Sequence, residues 1–381
     1  MTLRLYDEDA YCRRFQATVQ RCEHDDNGYR VVLDRTAFFP EGGGQAADSG
    51  TLGGASVTDV QIVDGEIYHY TDGPLTVGEC VTGELDWDMR FMRMQKHTGE
   101  HIVSGIVHRL YGYENVGFHL GSEDVTLDFD GELTREQLDH VEDMANEVIW
   151  SNVAVTACYP TQQELETLAY RSKKELSGAV RIVTVEGCDV CACCAPHVGR
   201  TGEIGVLKLL DAIRYKGGMR IHMQCGRDAL VDYRLRYTQT AAMAAALSVK
   251  QREVLHAVER LMEHRDSLAG DLRLAKRKVA IAQAQALELT DGAACLIVEP
   301  TDMEAIREAV AALAARCANV CAVFSGTDGE GYQFAASGGD LPAVMEQMKS
   351  KLGARGGGSS QMVQGRVMAT AAEIRGFFDG L

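Results

Sequence analysis

Two histidines sit four residues apart in His97-Thr98-Gly99-Glu100-His101, and a cysteine precedes a third histidine by the same interval in Cys193-Cys194-Ala195-Pro196-His197. Residues at i and i+4 of a helix share one face, so His97 and His101 can grip a single ion together. The second pair adds a thiolate and an imidazole from a loop, which completes a four-ligand set of the borderline-soft kind that zinc prefers. One zinc ion per chain is the expectation. A peptidase is disfavoured, because its general-base Glu must directly follow the first His, where this chain has Thr98, and Glu100 stands before the second His instead. His108 lies two turns beyond His101, too far along the helix to reach the same ion. Cys188, Cys191 and Cys194 crowd the same loop. Cys193 is singled out only by its spacing to His197, and Cys191 and Cys194 are alternatives.

A second concentration of chemistry lies in the run Arg35 to Gly50. Thr36, Glu41 and Gln45 offer hydrogen bonds to a bound molecule, and Gly42, Gly43 and Gly44 permit close backbone approach; an ordinary polar turn would have the same composition. His119, in Val116-Gly117-Phe118-His119, is either a substrate contact or a satisfied core histidine.

The pattern around these residues is that of an α+β multidomain chain. Residues 1–88 alternate short β-branched runs with Gly turns, as in Tyr29 to Leu33, Ala55 to Val60 and Glu66 to Tyr70, which suits a small β-barrel. From Trp87 to about Leu110 the pattern is helical, Val125 to Phe129 reads as a strand, and Thr134 to Ser151 is an amphipathic helix with Leu138, Val141, Ala145 and Val148 on one side. With a strand at Ile204 to Leu210, residues 89–236 form a layered α/β sandwich. Heptad spacing from Leu247 to Leu289, through Leu261, Leu268, Leu272 and Val279, predicts a long coiled-coil-like helix or hairpin over 237–290, with Gly270 as the bend of a hairpin and a homodimer as the alternative. Residues 291–381 read as a compact α/β domain in which Gly356 to Gly365 is a loop, whose backbone N–H groups would cradle a phosphate or merely connect two elements.

The 381 residues are 46% hydrophobic, enough for two or three cores. No stretch approaches a membrane span, and Met1 to Asp7 lacks a secretory pattern. The twelve Cys fit reduced thiols in the cytoplasm better than a disulfide framework. A net charge of -17 argues against nucleic acid if evenly spread, but acidic residues crowd the first half while Arg214, Lys216 and Arg220 follow the Cys loop and Lys276, Arg277 and Lys278 line the long helix. A local positive face is the reading of these residues, and for the helix a solvated face is an equal alternative.

The run from His197 through Gly199-Arg200-Thr201-Gly202-Glu203-Ile204-Gly205 closely resembles the second zinc-binding motif of alanyl-tRNA synthetase editing domains and their free-standing relatives, the AlaX proteins. Arg35 to Gly50 looks like the glycine-rich segment of that family, and Gly356 to Gly365 is similar to the DHH-associated domain that ends its long forms. The Cys-rich loop departs from the Cys-Gly-Gly-Thr-His of many relatives. The resemblance implies a sandwich like the alanyl- and threonyl-tRNA synthetase editing domains, and a hydrolase that cleaves the ester of mischarged Ser-tRNA(Ala), with Gly-tRNA(Ala) as a second candidate. Gly356, Gly357 and Gly358, with the basic residues above, become tRNA contacts. A synthetase pocket built for alanine rejects glycine or an added hydroxyl only about a hundredfold, which leaves work for a second sieve. Four filled positions on zinc favour a metal that organises the pocket with water supplied nearby; a displaced ligand would instead open a water-activating site. The alternatives are a non-catalytic tRNA-binding protein with a structural zinc and a small-molecule metallohydrolase.

Overall fold

The computed structural model describes residues 2–25, 28–121, 125–172 and 179–381. The chain divides into two compact units, Met1–Gln239 and Thr240–Leu381. No helix among the described residues is long and apolar enough to cross a membrane.

The first unit begins with six strands whose pairing returns on itself, in the order Arg14–Asp25, Gly28–Leu33, Glu66–Thr71, Ala55–Val63, Gly50–Leu52, Cys80–Leu85 and back to the first. Alternate side chains, among them Phe15, Val19, Leu33, Val60 and Ile67, fill the interior. His69 is fully buried there, its Nε2 2.8 Å from Thr36 Oγ1 and its Nδ1 3.1 Å from Val31 O.

Helix Trp87–Tyr111 follows; Asp86 caps it by accepting from Met89 N, and Gly112 ends it in the left-handed conformation at φ 71°. From Met94 to Val107 it is wholly buried. It packs with helix Arg135–Trp150, opened by a Thr134–Gln137 capping box. An antiparallel sheet ordered Leu207–Tyr215, Gly218–Cys225, Val125–Phe129, Asn115–Leu120 shares their core. A smaller sheet, Val155–Cys158, Ile182–Val185, Asp189–Ala192, meets the buried helix through its last strand. The strand expected at Ile204 starts instead at Leu207. Residues Thr201–Ile204 form a 3-10 turn that Gly205, at φ 81°, reverses.

In the second unit the heptad region is broken where no glycine stands. The chain turns at Ser248, at φ 55°, and the 33-residue helix Val254–Ala286 then runs unbroken through Gly270. Its buried residues are Val254, Ala257, Ala280 and Ala284, whereas the heptad residues Leu261, Leu268, Leu272 and Val279 are exposed. The small Ala280 and Ala284 let this helix close onto Val310 and Leu313 of helix Met303–Ala314, and that contact sets its rotation.

A five-stranded sheet, ordered Ala294–Val298, Cys321–Thr327, Gly331–Ser337, Val363–Val367, Arg355–Gly358, is covered on both faces. Phe324 and Phe334 face helices Leu341–Leu352 and Ala371–Asp379, while Val323 and Ala335 face Met303–Ala314. The glycine segment expected as a loop is instead a hairpin whose first strand is the edge of this sheet, with Gly356 paired to Gly365 and Gly358 to Val363. A Cβ on Gly356 would lie 2.2 Å from Gln364 O and one on Gly365 2.2 Å from Arg355 O, so these glycines let two backbones approach each other. Strand geometry points successive N–H groups at Gly356, Gly357 and Gly358 to alternate sides rather than to one point.

Burial lowers the His69 pKa from 6.5 to about 4 despite its hydrogen bond to Val31 O. Between those values the unfolded chain binds a proton that the fold refuses, so this contribution to stability is complete above pH 6.5 and is lost as pH falls towards 4, by about 3 kcal/mol in all. Urea denaturation at pH 7.5 and pH 4.5 should show that drop, and His69→Gln should flatten it.

Candidate metal centre and its pocket

His97 and His101 come from the buried helix, and Cys193 and His197 from the loop after strand Asp189–Ala192. One ligand atom from each lies within 4.8 Å of every other. Cys193 Sγ is 3.5 Å from His97 Nε2 and 3.4 Å from His197 Nε2. The opposite nitrogen of each ring is engaged outward. His97 Nδ1 meets Gln45 Oε1, His101 Nδ1 meets Asp189 Oδ2 and His197 Nδ1 meets Thr98 Oγ1, each at 3.0 Å. Thr98 donates its own proton to Met94 O, which leaves its oxygen to accept from His197. Asp189 in turn takes a two-pronged pair from Arg171 at 2.8 and 2.9 Å. Acceptors on three Nδ1 atoms turn three Nε2 atoms toward one sulfur, the donor set and outer shell of a zinc site.

The electrostatics agree. Burial pushes the Cys193 thiol up, but the charges of His97 and His197 and hydrogen bonds from His101 and His197 overcome it and hold it well below its ordinary range. His101, although burial opposes its charge, is raised well above 6.5 by Asp189 and Cys193. Burial lowers His197 to about 3, against the pull of the Cys193 thiolate.

Among the other loop cysteines, Cys191 is buried beside His101 and Asp189, Cys188 donates to Ile102 O, and Cys194 is exposed against Gly43. Cys193 alone of these four joins all three histidines.

Of the glycine-rich residues, Gln45 is buried and braces His97. Gly43 and Gly44 line a cavity of about 490 Å³ with His97, His101 and Cys193. A Cβ on Gly44 would sit 2.7 Å from the Phe118 ring, so the close approach there is to Phe118. Two of the expected residues lie elsewhere. Thr36 is fully buried inside the ring of strands and bonded to His69, and Glu41 is exposed and accepts from Gln61 at 2.8 Å; neither lines the cavity. His119 is exposed, neither core nor cavity, because strand alternation points Phe118 at His97, with ring centroids 4.8 Å apart, and turns His119 away.

The basic residues are largely matched. Arg214 pairs with Glu132 at 3.0 Å, Arg220 with Asp128 at 2.7 Å and Arg277 with Glu304 and Glu308, while Lys276 donates to Pro300 O and Lys216 lies over the Tyr215 ring. Lys278 is exposed. The local positive face is thus weaker than the count of cations suggests.

Asp189, Thr98, Arg171 and Phe118 were not singled out in the sequence. Asp189 carried a signal, since period-two spacing puts Asp189, Cys191 and Cys193 on one strand face. Arg90 also stands out. It is fully buried, ion-paired to Asp48 and bonded to Ala10 O and Ala37 O, and it pins the glycine-rich segment to the ligand helix.

Comparison with known proteins gives the class. Residues 180–222 match the family described as the threonyl and alanyl tRNA synthetase second additional domain, and residues 10–89 match class II (A) tRNA synthetases. The chain is 27% identical to the alanyl-tRNA editing protein AlaX-L of Pyrococcus horikoshii over 98% of its own length and 96% of that protein's. It is 31% identical to the alanyl-tRNA editing protein Aarsd1 of Mus musculus over 56% of each chain. The alanine–tRNA ligase of Ignicoccus hospitalis is 30% identical over 94% of this chain, which spans only 40% of that ligase. The chain is a homologue of the alanyl-tRNA editing protein AlaX-L and of Aarsd1, and carries the second additional domain of threonyl and alanyl tRNA synthetases.

His97→Ala with His101→Ala should abolish zinc binding, and stoichiometric zinc in that variant by native mass spectrometry would refute the ligand set. Gln45→Ala should keep the fold and weaken zinc about 10- to 100-fold in a chelator competition.

Proposed function

We propose that this chain is a trans-editing aminoacyl-tRNA deacylase that hydrolyses the ester of mischarged Ser-tRNA(Ala), with Gly-tRNA(Ala) as a second substrate. The observation that carries the reading is the cluster of three outward-braced imidazoles and one thiol at a cavity of about 490 Å³, in a homologue of proteins named for alanyl-tRNA editing. That volume is of the size that takes a small ligand.

His97, His101, Cys193 and His197 would hold one zinc ion, which supplies shape and Lewis acidity to the pocket. Gln45, Thr98 and Asp189 hold the imidazoles with Nε2 inward. The Gly43–Gly44 turn brings backbone rather than side chain to the cavity wall, and Phe118 closes that wall beside His97. An aminoacyl ester is labile, so positioning of the carbonyl and of a water can supply most of the rate. We read the closed ring of strands as a small barrel domain over 1–88, followed by the editing domain 89–236, a helical segment 237–290 and a DHH-associated domain 291–381. The exposed Leu261, Leu268 and Leu272 support pairing with a second copy along the long helix. Lys216 and Lys278 keep the most available charge of the cations named above for a tRNA backbone.

Purified protein should release labelled serine from Ser-tRNA(Ala) rapidly while Ala-tRNA(Ala) and Thr-tRNA(Thr) persist, and Cys193→Ala with His197→Ala should remove the activity. If all three esters survive while the tRNA binds, the protein is a tRNA-binding protein with a structural metal. Turnover that ignores the tRNA body would mark a small-ester hydrolase.

A further inference from the structure

The mouth of the metal cavity carries two side chains that the ligand set does not use. Arg4 and Tyr159 line it together with Arg181. Most arginines of this acidic chain are matched by carboxylates, but Arg4, half-buried, makes no side-chain hydrogen bond or ion pair among the described residues. Arg181 is already committed to Cys193 O, Ala195 O and Asp7, and so shapes the wall. The Tyr159 hydroxyl donates to Asp7 Oδ2 at 2.9 Å, which holds the ring in place while the residue stays 49% exposed. The position of Arg4 is fixed by its backbone, since strand Leu3–Arg4 pairs in parallel with Arg35–Thr36 at the start of the glycine-rich segment. Arg4 lies near enough to Tyr159 for its charge to favour the ionised phenol, although burial and Asp7 together raise that group.

A guanidinium free of carboxylates is a seat for a phosphate, which its fork can grip with two hydrogen bonds. A braced, half-exposed phenol beside it is a stacking surface that accepts any base. Both belong to the more exposed lining of a cavity whose buried lining includes His97 and His101, an order from solvent inward that matches an RNA 3′ end: phosphate, base, then the 3′-terminal ester. We propose that Arg4 and Tyr159 form the subsite for the terminal nucleotide of the substrate, Arg4 binding its 5′-phosphate and Tyr159 stacking on its base. This rests on the deacylase reading of the same cavity, and makes these two residues determinants of KM rather than of the chemical step.

The test uses the full chain with its metal, Ser-tRNA(Ala) as substrate, and adenosine and 5′-AMP as competing inhibitors. Arg4→Ala should raise KM and weaken inhibition by 5′-AMP on the order of tenfold, leave kcat, zinc content and inhibition by adenosine unchanged, and lower the slope of log KM against log salt by about one. Arg4→Lys should recover part of the 5′-AMP binding. Tyr159→Ala should weaken both inhibitors, and Tyr159→Phe should weaken neither. Equal inhibition of wild type and Arg4→Ala by 5′-AMP, or a loss confined to kcat, would overturn the assignment. An unmodified chain with no deacylase activity would overturn the deacylase reading instead, and direct 5′-AMP binding to the Arg4→Ala and wild-type proteins would still decide the subsite.

Discussion

Everything in the first unit is arranged around one requirement: three imidazoles must present the same nitrogen to one sulfur. A histidine ring turns about two bonds and has two nitrogens, so helical spacing alone leaves its orientation undecided. Orientation comes from the acceptors on the far side, and here these are Gln45, Thr98 and Asp189. They belong to three parts of the chain: the glycine-rich turn, the ligand helix itself and the strand that leads into the cysteine loop. The cluster forms only when those parts are assembled, which ties the candidate site to the fold of the whole unit.

The assembly is secured by buried charge. Arg90 reaches from the first turn of the ligand helix to Asp48 and to two backbone carbonyls, and Arg171 reaches across to Asp189. Removing one member of such a pair strands a charge away from water, at a cost of about 3–5 kcal/mol, so both pairs hold their segments in a single register. Gly44 completes the fit, because any side chain there would meet the Phe118 ring that stacks near His97.

The second unit shows how packing overrides pattern. Its long helix carries a leucine heptad that would suit a coiled coil, yet the residues it buries are Val254, Ala257, Ala280 and Ala284. Small side chains win near the sheet because they allow the closer approach, and the leucines are left outside. The glycine run at 356–358 follows the same logic, serving the contact of two strands rather than a turn.

The chain's local patterns sufficed for whatever depends on neighbours along it. The i, i+4 spacing placed His97 and His101 on one helix face, the helix expected from Trp87 to about Leu110 is Trp87–Tyr111, and the motif order marked the four candidate ligands. What depends on distant residues was decided by tertiary structure. Strand alternation together with sheet pairing turned Phe118 inward and His119 out, the closing of the six-stranded ring swallowed Thr36, and carboxylates from elsewhere neutralised Arg214, Arg220 and Arg277. The reason is physical. Spacing fixes which side chains can share a face, but whether a face meets a metal, a core or solvent is a property of the partner that packs against it.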